Sequence, residues 1–182
     1  MTSRLVYGGF LKVLAVETEQ GTREVVKVTD SVCVLLHLFE TQHVLLVNQA
    51  RAPMVCEDNP TGLITETVAG RFDVNLGPKE LAIKEAKEEV GAHIDSQQVM
   101  LLNQGKPMAL SAGVLTELCY LTYVRINPCM IENTERVFGN KDEGEQIKRI
   151  FMSVKDFLAQ PCEDLRVFAY QQWLMNHMKE VN

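Results

Sequence analysis

The sequence predicts an α/β domain, a mixed sheet flanked by helices, on three observations. Residues 10–49 alternate runs of β-branched residues with turn formers, residues 78–90 carry a helical pattern between Pro78 and Gly91, and strand-like runs at 99–126 and 147–152 precede a terminal amphipathic segment. A chain of 182 residues is one domain with some length to spare. With 46% apolar and 23% charged residues, it has the material for one sizeable core and no compositional case for disorder.

The elements follow in order. Phe10 to Val16, a turn at Gln20-Gly21, Val25 to Val28, Val32 to Phe39 and Val44 to Val47 read as an antiparallel meander. Arg51 to Gly62 is a loop by its proline, glycine and acidic content, and Leu63 to Val68 is extended, ending at Gly70. Residues 71–77 are irregular. The helix at 78–90 starts on a proline, whose missing N–H costs nothing in the first turn, and stops at Gly91, which tolerates a left-handed backbone. Val99 to Leu102 and Leu115 to Ile126 are strands, 127–145 is a long polar loop of the kind that often carries function, and Ile147 to Met152 is a further strand. Ser153 with Asp156 makes a capping-box-like start for a short helix, and Asp164 to Met178 forms the terminal helix with Leu165, Phe168, Trp173 and Leu174 as core candidates.

The net charge of −6 argues against an extended basic surface for nucleic acid or an anionic membrane. Cys33, Cys56, Cys119, Cys129 and Cys162 are scattered, odd in number and free of any C-x-x-C pair, so they read as reduced thiols, not as a disulfide framework or zinc site. The N-terminal residues lack an apolar signal core and the apolar runs are too short to span a bilayer, so the expectation is a cytoplasmic protein. His37, His43, His93 and His177 show no ligand-like spacing.

On the helix at 78–90, Glu85, Glu88 and Glu89 fall at i, i+3 and i+4 and share an arc of roughly 100°. Like charges at that spacing repel by about 0.2–0.5 kcal/mol per pair. The cluster is therefore either a solvated acidic face answered by Lys79, Lys84 and Lys87, or the oxygen-donor set of a hard cation such as Mg²⁺ or Mn²⁺. Spacing alone leaves both readings open.

The wider pattern over residues 70–92 resembles the Nudix box, G-x5-E-x7-R-E-U-x-E-E-x-G-U, where U is a bulky apolar residue. Gly70, Glu85, Glu88, Glu89 and Gly91 match without gaps; Leu76 stands in place of the first box glutamate, Lys84 in place of the arginine, and Ala92 is a small occupant of the last apolar site. Other segments resemble the ADP-ribose and nucleoside diphosphate sugar pyrophosphatases of that superfamily. Val44 to Arg51 is similar to their V-L-L-V-x-Q-x-R strand, Glu66-Thr67-Val68-Ala69-Gly70 to E-x-x-A-G, and Asp142-Glu143-Gly144-Glu145 to D-E-x-E. Ser111 to Glu117 resembles S-P-G-x-x-x-E with Ala112 in place of the proline, and Pro107 is a second candidate for that proline position.

The resemblance covers about residues 10–178 and implies a Nudix fold: a hydrolase domain at 43–182 preceded by an N-terminal antiparallel strand extension at 1–42 that joins two subunits in a homodimer. The many apolar strand residues in 10–47, hard to cover within one small subunit, agree with this. It implies Mg²⁺, with Mn²⁺ as an alternative, held by Glu85, Glu88, Glu89, Glu145 and the carbonyl of Ala69. Glu143 would be the general base, Glu85 and Glu89 would belong to the catalytic set, and Arg51, Glu66 and Glu117 would bind substrate. The implied reaction is hydrolysis of the pyrophosphate link in a nucleoside diphosphate sugar, ADP-ribose included. Leu76 and Lys84 keep two alternatives in view: a domain that binds a nucleotide sugar as a regulator, and a hydrolase of another nucleotide pyrophosphate. Tyr120, Tyr123, Phe138, Phe168 and Trp173 include candidates for stacking on a base, although core positions account for most of them.

Overall fold

The computed structural model describes residues 3–72, 75–134, 137–140 and 144–181. Two sheets form among them. The N-terminal sheet is a three-stranded antiparallel unit in the order β1 (Ser3–Gly8), β2 (Lys12–Thr18), β3 (Gly21–Lys27). The second sheet has eight strands: a path of β11 (Lys148–Ser153), β5 (His43–Ala50), β4 (Ser31–Leu38), β10 (Leu118–Ile126) and β8 (Val99–Leu101), with β6 (Leu63–Glu66) on β5, β7 (Val68–Arg71) on β4 and β9 (Met108–Ala109) on β10. The β4–β10 pair is parallel and the others are antiparallel, so the sheet is mixed. Helix α1 (Pro78–Val90) covers one face, while α2 (Val154–Ala159) and α3 (Leu165–Val181) cover the other.

Strand β4 shows why the sheet has helices on both sides. All eight of its residues are buried: Val32, Val34, Leu36 and Leu38 pack with Leu81, Ala82, Ala86 and Val90 of α1, while Cys33 and Leu35 pack with Phe157, Tyr170 and Leu174. A strand apolar on both faces is stable only where both are covered. The meander expected across 10–49 accordingly stops at Lys27. β4 leaves the N-terminal group and becomes a central strand, so the two sheets part within residues 28–30. Among the described residues, Val26 of β3 bridges Leu115, just ahead of β10.

The β4–β5 pairing is short, from Leu36 opposite Leu45 to Leu38 opposite His43. Beyond it the strands separate, and the chain from Leu63 to Arg71 runs antiparallel to both, first along β5 and then along β4, with Thr67 at the crossing. This split in the sheet sets out the site described below.

Helix α1 matches the expected bounds, with Pro78 in the first turn and Gly91 at φ 66° as its left-handed end. The short helix also forms, with Ser153 accepting a hydrogen bond from the Asp156 N–H at 3.0 Å. The terminal helix forms, but its buried face is Val167, Tyr170, Gln171 and Leu174. Of the expected core residues, Leu174 is buried and Trp173 half-buried, whereas Leu165 (66%) and Phe168 (50%) are exposed. The loop after β10 is anchored: Glu132 N–H donates to the Gly91 carbonyl, and Phe138 bridges Ile147 and enters the core on the α1 face.

Candidate functional site

Helix α1 turns Leu81, Ala82, Glu85, Ala86, Glu89 and Val90 inward. Two of these are carboxylates, and carboxylates are almost never buried without a partner. Glu85 faces Gly70 of β7 so closely that a Cβ on Gly70 would fall inside its carboxyl group. One turn on, Glu89 is 3% exposed and its Oε2 accepts the Ala69 N–H at 3.1 Å. Burial pushes the Glu89 carboxyl well above the usual carboxylate range; the Ala69 N–H and Arg51 oppose this, and the charges of Glu85 and Glu145 add to it. Glu85, Glu145 and Arg51 therefore all lie within electrostatic reach of one buried carboxyl.

The third acid of the trio behaves differently. Glu88 sits at the rim of α1 with 46% of its side chain exposed, and Lys84 Nζ donates to Glu88 Oε2 at 2.8 Å and to Glu85 Oε1 at 3.1 Å. Burial works against the charge on Lys84, but these two hydrogen bonds outweigh it and hold its pKa above the ordinary lysine value. Lys84 thus ties two of the three carboxylates, as a point charge instead of a fork. Leu76 lines an open cavity of about 460 Å³ together with Asp30, Phe72 and Tyr120.

The long loop brings Glu145 to the same end of α1. Gly139 N–H donates to the Glu88 carbonyl at 3.4 Å, and the Asn140 N–H donates to Glu145 Oε2 at 2.9 Å. Glu143 and Asp142 lie outside the described residues. Among the described residues no three acids, histidines or cysteines already stand as a closed ligand set. The oxygens that could hold a cation are those of Glu85, Glu89 and Glu145, with Glu88 available if Lys84 releases it.

Arg51 follows β5, and its Nε donates to Glu66 Oε2 at 2.8 Å. Glu66, at the split between β4 and β5, is 3% exposed, and its other oxygen accepts from Arg166 Nη2 at 2.6 Å. Arg166 was not among the residues expected from the sequence. One signal was available: it lies in the first turn of α3, where the helix dipole disfavours a cation unless a particular anion is nearby. Asp164 caps that helix end by accepting the Arg166 N–H at 2.6 Å, and it also ion-pairs the Arg166 side chain. Glu117 is buried apart from this group and accepts the Ser31 hydroxyl at 2.6 Å, at the end of the sheet where β7 finishes opposite Ser31.

All five cysteines are free, with the Cys33 and Cys119 sulfurs 3.3 Å apart across β4 and β10. No helix among the described residues is long and apolar enough to cross a membrane.

No family model matches the chain. It is similar to curated proteins named GDP-mannose pyrophosphatase. That of Yersinia enterocolitica is 36% identical over 101 residues, covering 56% of this chain and 50% of the relative. That of Yersinia pestis is 30% identical over 117 residues, covering 62% and 56%, and that of an Enterobacter species is 34% identical over 104 residues, covering 57% and 51%. The chain spans about half the length of the curated relatives it matches.

Proposed function

We propose that this chain hydrolyses the pyrophosphate link of a nucleoside diphosphate sugar, releasing a nucleoside monophosphate and a sugar phosphate, with Mg²⁺ or Mn²⁺ bound at α1. The observation that carries the reading is the pair of carboxylates, Glu85 and Glu89, on the inward face of α1 against the glycine-opened backbone of β7. A purely structural helix gains nothing from two buried acids, whereas a hydrolytic centre needs them. The similarity to proteins named GDP-mannose pyrophosphatase supports a nucleotide-sugar substrate, and ADP-ribose belongs to the same chemical class.

The donor set fits a hard divalent cation. Its atoms are all oxygens, carboxylate and carbonyl, and Glu89, crowded by Glu85 and Glu145, carries a burial cost that a cation would offset. Glu85, Glu89 and Glu145 would hold the ion, joined by Glu88 and the carbonyl of Ala69. When bound, it would neutralise diphosphate charge and lower the pKa of a coordinated water. Arg51 orients phosphate, Glu66 holds Arg51, and Glu143 takes the proton from the attacking water. The exposed apolar residues of the N-terminal sheet, with Phe10 at 96% and Tyr7 at 59%, support its use as the face that meets a second copy of the chain.

Lys84 favours a second reading. A cation already holding Glu85 and Glu88 lowers the demand for a metal there, as in a domain that binds a nucleotide sugar without cleaving it. The two readings separate in a coupled phosphatase assay on GDP-mannose and ADP-ribose with Mg²⁺, with Mn²⁺ and with chelator. Metal-dependent turnover by the unaltered chain supports hydrolysis. Turnover gained from near zero only on Leu76→Glu with Lys84→Arg supports the regulatory reading.

A further inference from the structure

We infer that Arg166 is a positioning residue of the phosphate site, clamping Glu66 so that the guanidinium of Arg51 stays available for a diphosphate. The inference rests on the hydrolase reading and adds a residue to it. Glu66 is too buried to meet substrate itself, at 3% exposure, and its two carboxylate oxygens are divided between two guanidinium groups, Arg51 Nε at 2.8 Å and Arg166 Nη2 at 2.6 Å. Arg51 spends only its Nε on this contact; its terminal amino groups make no hydrogen bond among the described residues, and its side chain is 38% exposed. Arg166 is more deeply set, at 19%, and is fastened by Asp164 through both carboxylate oxygens.

The group of Arg51, Arg166, Glu66 and Asp164 is neutral as a whole. Buried ionic clusters of this kind are seldom required for stability, since apolar side chains of similar volume often serve as well. What this one does that apolar side chains cannot is fix a guanidinium beside the acid site, where Glu89 already feels its charge. If Arg166 is removed, the second oxygen of Glu66 lacks a donor and Arg51 is the cation at hand. A planar fork readily turns from a single contact to a bidentate one. Arg51 would then give its terminal amino groups to Glu66 and withdraw them from the phosphate.

The test is a double-mutant cycle on the full chain with GDP-mannose, combining Arg166→Met and Arg51→Met, with Arg166→Lys as a variant that keeps a cation between Glu66 and Asp164. Arg166→Met is expected to raise KM about tenfold, the size of one lost charge-assisted hydrogen bond, with a much smaller change in kcat. Arg166→Lys is expected to recover part of that loss. The double variant is expected to be no worse than Arg51→Met alone, because Arg166 acts through Arg51. Should the Met variant fail to fold, the Lys variant completes the same cycle. Additive effects, or a fall in melting temperature with KM unchanged, would overturn the inference. If the unaltered chain shows no turnover, the same cycle is read as calorimetric Kd for GDP-mannose. Binding weakened by the Arg166 variants then supports the clamp while removing the hydrolase reading, and no binding by the unaltered chain overturns both.

Discussion

Gly70 and Glu85 compete for one small volume, and Gly70 has no side chain to fill it. Gly70→Ala would drive Glu85 off its place against β7. The expected outcome is a loss of turnover of at least about tenfold, larger than any loss of folded protein by circular dichroism; retained turnover would remove the close approach from the mechanism. The spacing of Glu85, Glu88 and Glu89 was legible in the sequence, because helical geometry puts i, i+3 and i+4 on one side. That Glu85 and Glu89 turn inward while Glu88 stays at the rim was not, since it depends on how α1 is rotated over the sheet. Nor was Arg166, whose partner Glu66 is a hundred residues away in the chain. His37 supplies a pH prediction separate from the site. It is buried on the α3 side of β4, with Nδ1 2.7 Å from the Tyr123 hydroxyl, and burial, aided by the charges of Arg125 and His177, lowers its pKa to about 4. An unfolded histidine titrates near 6.5, so as pH falls below that value the unfolded chain takes up the proton first and stability drops until about pH 4. Urea unfolding is expected to show about 1.5 kcal/mol less stability at pH 5 than at pH 6.5 from this group, a slope that His37→Gln flattens. An identical slope in the variant would assign the effect elsewhere.

At the scale of elements, α1 was legible because its stop signals are local: Pro78 and Gly91 act within a turn of where they stand. The terminal helix was legible in existence but not in orientation. Leu165 and Phe168 read as core because they are large and apolar, yet the sheet selects the stripe through Val167, Tyr170 and Leu174, and hydrophobicity alone does not fix which of two adjacent stripes faces inward. The consequence is measurable. Leu174→Ala is expected to cost about 2–5 kcal/mol by denaturant unfolding, while Leu165→Ala stays within about 0.5 kcal/mol of the unaltered chain. Comparable losses from both would mean that α3 packs on a different face. β4 gives the same lesson for strands. Its run of apolar residues reads equally as an edge of the N-terminal meander or as a central strand, and only pairing with β10, whose partner residues follow 88 positions later, decides between them.

For the whole molecule, the mixed sheet with helices on both faces was legible from the alternation of strand and helix signals, whereas the crossing of Leu63–Arg71 between β4 and β5 was not. That crossing brings Ala69 and Gly70 against Glu85 and Glu89, sets Glu66 between two arginines, and leaves Arg51 within electrostatic reach of Glu89. The central claim is that this convergence forms a divalent-metal hydrolytic centre. The measurement that tests it most directly is a Mg²⁺ titration of GDP-mannose hydrolysis by the unaltered chain and by Glu89→Gln. The account predicts saturable dependence on Mg²⁺ in the first, and in the second a weakening of that dependence by about 10–100-fold together with slower turnover. Hydrolysis that ignores chelator, or a Mg²⁺ titration that Glu89→Gln leaves unchanged, would contradict it.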